Sequence, residues 1–193
     1  MKIGIFGGSF NPPHQMHYQF VQELLRCHLL DKIVIVPTGR NYPKTALISP
    51  EHRIAMLKCM FPENSNVIIS DYEVNYELTY TYQTLDYFQT QNPFAELYFI
   101  CGSDNLKELN TWKNAEYMME RYHFLVVPRN GDNVEELMNL YPEYQNHIHI
   151  IPISLAPISS SQIRELIANG FDYKNLVTKE VYDYIQKNHL YQS

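Results

Sequence analysis

The chain has few cysteines, no surplus of basic residues and none of the common signatures of dinucleotide, P-loop or serine-hydrolase sites. Each lack removes a class of function. Three cysteines stand among 193 residues, Cys27, Cys59 and Cys101, with no close pairing motif. Each sits in an apolar run, so buried free thiols in a reducing compartment are expected rather than disulfides or metal ligands. Lys and Arg number 15 against 21 Asp and Glu, a formal net charge of −6. That leaves no positive excess for non-specific binding to nucleic acid, while a small anion needs only a few local cations. No apolar run approaches the roughly 20 residues that span a bilayer, and no basic-then-apolar leader opens the chain. A cytoplasmic protein without a membrane or nucleic-acid partner is therefore expected. GxGxxG is missing, which counts against a dinucleotide-dependent dehydrogenase, and GxxxxGKS/T is missing, which counts against a P-loop phosphohydrolase. No GxSxG elbow points to a serine hydrolase.

What is present is concentrated in the first seventeen residues, MKIGIFGGSFNPPHQMH. Ile3, Ile5 and Phe6 read as a buried strand, and Gly7-Gly8 lets the backbone turn sharply after it. Pro12 and Pro13 suit the mouth of a helix, where a missing N–H costs little. A helix starting near His14 puts His14 and His17 on one face of its first turn. Free N–H groups and the positive end of the helix dipole favour an anion there. A plain βα turn with surface histidines satisfies the same pattern.

Strand-like runs alternate with helical ones along the whole chain. The strands are expected at Ile3–Phe6, Lys32–Pro37, Val67–Ser70, Glu96–Cys101, His123–Pro128 and His147–Pro152. Helices are expected near Gln15–Leu30, Pro50–Phe61, Tyr80–Asn92, Asp104–Arg121, Val134–Tyr141, Ser160–Asn169 and Thr178–Asn188. Phe20, Val21, Leu24 and Leu25 give the first helix its apolar stripe, and Thr178 reads as the cap of the last. The alternation predicts an α/β fold, a Rossmann-like doubly wound parallel sheet with a C-terminal helical segment, as one domain over residues 1–193. Such sheets bind ligands past the carboxyl ends of their strands, where strand order reverses.

Further signals fall at those ends. Ser159-Ser160-Ser161 precede an apolar helical pattern with Arg164 in its first turn, an N-cap followed by a guanidinium able to grip phosphate with two hydrogen bonds. A serine cap with a surface arginine reads equally well from this stretch alone. Tyr98–Cys101 reads as a buried strand ending at Gly102, with Asp104 either capping a helix or accepting from a ribose hydroxyl or adenine amine. Trp112 is either a stacking platform or a core residue. Hydroxyls and rings alternate through Thr79–Leu85 at a helix start. If the His14 and Ser161 helix starts converge, the pair points to a polyphosphate.

GGSFNPPH-x-x-H together with SSSQIR resembles the nucleotidyltransferase family whose signatures are written HxGH and SSTxIR. Within it, YTYQTL, LYFICGSDNL, HFLVVPRNG and VYDYIQKNHLY resemble the nicotinate-nucleotide adenylyltransferases of bacteria over nearly the whole chain. The resemblance implies adenylyl transfer from ATP to nicotinate mononucleotide, giving the deamido-dinucleotide and pyrophosphate. It implies that Gly7, Gly8, Ser9 and Phe10 cradle phosphates through backbone N–H groups. It implies His14, His17 and Arg164 as the catalytic groups on the ATP phosphates, with Ser160 and Ser161 beside them. Gly102 and Asp104 would lie by the adenosine. Thr81 and Trp112 would hold the pyridine ring, with Arg53 and Arg129 as weaker candidates for anion contacts. Mg2+ would be held mainly by ATP phosphates, with no protein metal ligand. Two departures stand out. The glycine between the histidines is Met16 here, and the Pro-Pro-His-Lys segment of the family reads Asn41-Tyr42-Pro43-Lys44, which leaves Lys44 as its cation. Nicotinamide mononucleotide or phosphopantetheine as acceptor, a nucleotide sensor without turnover, and a homo-oligomer stay open from sequence.

Overall fold

A computed structural model describes residues 1–39, 47–62, 65–76, 79–129, 131–151, 153 and 158–192. Six parallel strands carry the fold: β1 (Lys2–Gly8), β2 (Lys32–Pro37), β3 (Val67–Ile69), β4 (Glu96–Gly102), β5 (His123–Val127) and β6 (Ile148–Ile150). They line up in the order β3-β2-β1-β4-β5-β6. The chain thus steps outward from β1 in one direction and then, after β3, crosses to β4 and steps outward in the other. The reversal falls between β1 and β4, where Ile5 pairs with Val34 on one side and Phe99 on the other. A parallel sheet buried on both faces explains why its strands are near-continuous apolar runs.

Alternate residues of each strand feed two separate cores. Ile33, Ile35, Tyr98, Ile100 and Leu125 face one side, and Val34, Val36, Leu97, Phe99, Phe124 and Val126 the other. The first face is covered by α1 (Gln15–Arg26) and α2 (Pro50–Met60), and by α7 (Ser160–Ala168) and α8 (Lys179–Lys187) returning from the far end of the chain. α8 is capped by Thr178 Oγ1, which accepts from the Val181 amide at 3.4 Å. Its Val181 and Ile185 are fully buried, each contributing about 1.5–3 kcal/mol of apolar transfer. The second face is covered by α3 (Thr81–Gln91), α4 (Ser103–Glu108), α5 (Ala115–Arg121) and α6 (Val134–Met138), through Leu85, Leu106, Met118 and Leu137.

Three expectations change. The helix expected over Asp104–Arg121 is broken: α4 ends at Glu108, a 3-10 turn covers Leu109–Thr111, and Asn114 at φ 58° starts α5 afresh. Asp104 therefore lies inside α4 and does not cap it; Gly102 holds the cap position. Of the three free thiols, Cys101 is buried, Cys59 is intermediate and Cys27 is exposed. Cys27 follows the last residue of α1, past its buried stripe, and hydrogen-bonds to Glu23 at the surface. No described helix is long and apolar enough to cross a membrane.

Candidate active site

The strand β1 runs straight through Gly7 and Gly8, so the turn itself falls later than the glycines suggested. Phe10 supplies the left-handed residue, at φ 46°, and its side chain is buried in the core against Phe6 and His17. A Cβ on Gly8 would sit 3.0 Å from the Phe10 ring, whereas one on Gly7 would meet only Phe99, at 3.9 Å. The glycines thus let Phe10 fold back and leave the end of β1 open. Asn11-Pro12 is a cis peptide, and His14 follows at the cap position of α1.

The histidines are stacked, with ring centroids 3.7 Å apart and planes 24° from parallel. The His14 amide donates to His17 Nδ1 at 3.2 Å. That bond assigns the proton of neutral His17 to Nε2, which makes it a donor. His14 is 2 % exposed, and its Nδ1 makes no hydrogen bond among the described residues. A buried polar atom without a partner costs free energy unless something arrives to satisfy it. Burial lowers the His14 pKa to about 4, and burial together with neighbouring His14 holds His17 well below the ordinary range. Both rings are neutral at pH 7 until an anion approaches.

A cavity of about 600 Å³ opens beside them at the carboxyl ends of β1, β4 and β5. His17 and Met16 form one wall, Gly102 and Arg129 another, and Ser159 a third. This is the crevice at the reversal of strand order. Met16 therefore faces the cavity and not the core. Cys101 also lines it, but burial pushes its thiol up to about 12, so it stays protonated and unreactive.

The two helix starts converge as expected. Ser160 Oγ donates to the Pro12 carbonyl at 2.8 Å, and Arg164 Nη1 to the Asn11 carbonyl at 2.8 Å. Arg164 Nη2 also donates to Ser161 Oγ at 3.1 Å. Ser159, not Ser160 or Ser161, caps α7, accepting from the Gln162 amide at 3.1 Å. The hydroxyls and guanidinium expected on phosphate are thus also the clamps that press α7 against the turn. Arg129 reaches the cavity from the end of β5 with its Nε on Asp104 Oδ2 at 3.0 Å, both side chains well exposed. Asp104 is engaged by that arginine.

Thr81 and Trp112 lie across the sheet, beside the second core and outside the cavity wall. Trp112 meets Phe99 edge-on at 5.9 Å, and Phe99 is the ring closest to Gly7. Thr81 opens α3, and Lys113 Nζ sits 4.3 Å from the Tyr80 ring, which ties the two segments together. Lys44 lies outside the described residues. Arg53 is corrected: its guanidinium is buried and donates to the carbonyls of Ser9 at 2.9 Å, Thr38 at 2.7 Å and Ile48 at 3.3 Å. It holds the turn and the end of β2 together, its guanidinium taken up by backbone carbonyls. Sequence reasoning also missed Asn11, whose contacts span 180 positions and leave no local trace. Among the described residues, no group of three or more His, Cys, Asp or Glu side chains could hold a metal.

Comparisons with known proteins agree with this geometry. The sequence profile described as cytidylyltransferase-like matches residues 5–166. A probable nicotinate-nucleotide adenylyltransferase of Endomicrobium trichonymphae is 39 % identical, with 99 % of each chain covered. One of Clostridium tetani is 34 % identical, again with 99 % of each covered. The structure of Plasmodium falciparum nicotinic acid mononucleotide adenylyltransferase complexed with NaAD superposes with a TM-score of 0.84, covering 98 % of this chain and 97 % of that one. At 24 % identity that likeness is one of fold. On the family match and these full-length relatives, the chain belongs to the cytidylyltransferase-like family and, within it, to the nicotinate-nucleotide adenylyltransferases.

Proposed function

We propose that the chain transfers the adenylyl group of ATP to nicotinate mononucleotide, releasing pyrophosphate and forming the deamido-dinucleotide. One observation supports the site reading: the hydrogen bonds from Ser160 and Arg164 to the Pro12 and Asn11 carbonyls join the starts of α1 and α7 beside the cavity that His17 and Ser159 line. Helix starts stabilise anions through free N–H groups and the dipole, and a polyphosphate can span both.

The acceptor phosphate is a dianion near neutral pH, its second pKa being about 6, so it attacks without a general base. Its oxygen forms a bond to the α-phosphorus as the bond from that phosphorus to the bridging oxygen breaks. The electron pair leaves with pyrophosphate. Catalysis is then positioning and charge stabilisation. His17 donates through Nε2 towards the cavity, Arg164 supplies permanent charge, and the unpartnered His14 Nδ1 takes up a proton as phosphate charge approaches. Mg2+ fits as a partner of ATP and not of the protein. The cavity wall offers donors, His17, Arg129 and Ser159, and no carboxylate. Bound to the ATP oxygens, it would neutralise the departing pyrophosphate. Trp112, one aromatic ring from Gly7, and Thr81 at the start of α3 suit the pyridine ring across the sheet.

Pyrophosphate release, assayed with ATP and each of nicotinate mononucleotide, nicotinamide mononucleotide and phosphopantetheine, tests this reading. Release is expected chiefly with the first. ATP binding with no release from any acceptor would leave a nucleotide sensor instead; the adenylyltransferase names of the relatives weigh against that.

A further inference from the structure

Segments far apart in sequence meet on one side chain behind the phosphate turn. Asn11 is 1 % exposed. Its Oδ1 accepts from the Ile48 amide at 3.3 Å and from the Tyr191 hydroxyl at 3.0 Å. Its carbonyl oxygen accepts from Arg164, and the next carbonyl, Pro12, from Ser160. The stretch immediately ahead of His14 is thus held from the approach to α2, from the start of α7 and from the end of the chain.

Tyr191 is the member of this set that no other role explains. It lies beyond α8, packs its ring against the first core, and adopts φ 63°, a left-handed backbone that non-glycine residues seldom take. Burial pushes its phenol far above the usual range, against the pull of Arg164 and Arg53. The hydroxyl therefore remains a donor across the working pH range, and its acceptor fixes the amide orientation of Asn11. α8 delivers it there: the helix packs on α2, with the Tyr184 hydroxyl 3.0 Å from His52 Nδ1.

We propose that Tyr191 is a positioning residue for ATP, acting through Asn11 to hold the turn and Arg164 in phosphate-binding register. The inference rests on the reading that this turn carries the ATP phosphates. It makes a residue beyond α8 part of the support of the ATP site, acting through Asn11.

The test is Tyr191→Phe in the full chain, which keeps the ring and removes one hydrogen bond. The Kd for a non-hydrolysable ATP analogue, read by calorimetry, is expected to rise about five- to tenfold, the scale of one buried hydrogen bond. kcat/KM for ATP should fall in parallel, while KM for the mononucleotide stays unchanged. In an Asn11→Ala background the same substitution should add nothing further, because its path is already cut. A residue that only stabilises the fold would lower the melting temperature and leave analogue affinity, measured on folded protein, as in the parent. That result overturns the proposal, as does full additivity of the two substitutions. A parent chain that binds no ATP overturns the adenylyl-transfer reading and this inference together. A parent that binds and turns over, with Tyr191→Phe matching it in both, overturns this inference alone.

Discussion

The two sides of the crevice are built by different means. On the α1–α7 side most groups around the turn are tied down: Arg164 and Ser160 bond to backbone carbonyls, Arg53 and Tyr191 brace the turn from behind, and His14 is buried against His17 with its Nδ1 unpartnered among the described residues. On the α3–α5 side Asp86 ties α3 to the Tyr117 and Tyr122 hydroxyls, but Thr81 and Trp112 are themselves half-buried, with Trp112 edge-on to Phe99. The difference matches the work each side is given. Charge develops on the departing pyrophosphate, and donors that need no rearrangement stabilise it best. A flat pyridine ring asks only for an apolar face, and stacking tolerates small shifts.

The largest effect that could break this comparison is at the rigid side. His14→Ala should lower kcat by about a hundred- to a thousandfold, the usual loss for one preorganised donor at developing charge. Stability measured by denaturant should fall much less, since the ring leaves a buried Nδ1 unsatisfied in the free protein. A kcat within threefold of the parent would remove His14 from the site. On the looser side Trp112→Ala should raise KM for the mononucleotide about tenfold, the scale of one aromatic stacking contact, and leave KM for ATP alone. An equal rise in both would mean that Trp112 supports the sheet through Phe99 instead of touching the acceptor.

The same contrast separates what the sequence discloses from what it hides. The two-faced sheet is legible because Ile33 and Ile35 alternate with Val34 and Val36, and such runs, broken by helical periods, admit few topologies. The pairing of the two helix starts is legible because each carries its own local chemistry. The break at Asn114 is not, because α4 and α5 bury one stripe, through Leu106 and Met118, across it and the left-handed residue is set by packing. Asn11 and Tyr191 are not, because a hydrogen bond between distant residues has no spacing rule. Nor does the sequence disclose that the histidines rest neutral: their charge depends on burial, a property of the fold.

That neutrality gives a further expectation. Phosphate charge near lowered histidine pKa values must raise them, so ATP binding should take up protons and tighten as pH falls from 8 towards 6. Calorimetric enthalpies that change with the ionisation enthalpy of the buffer would show it; a buffer-independent enthalpy would mean the histidines stay neutral throughout. In the free protein the sign is set by a folded His14 pKa of about 4 against about 6.5 unfolded. The stability this burial permits is complete above pH 6.5 and is lost as pH falls towards 4, by about 3 kcal/mol at most for His14. His14→Gln should flatten that acid limb of the melting curve.

Met16 gives the smallest effect and the sharpest test of how closely the rigid side is fitted. It occupies the second position of α1, between the two histidines, and its side chain lines the cavity where the family carries glycine. A thioether with three rotatable bonds can move aside for a ligand, at an entropic cost but with little strain. Met16→Gly should therefore lower KM for ATP about threefold, while the helix loses up to about 1 kcal/mol for a glycine in its first turn. Met16→Leu, branched and less adaptable, should move KM the other way. If Met16→Gly instead raises KM for ATP, the methionine is a contact the nucleotide uses. The missing glycine would then be a substitution this cleft has absorbed, and the rigidity of the α1–α7 side would include an apolar surface as well as its fixed donors.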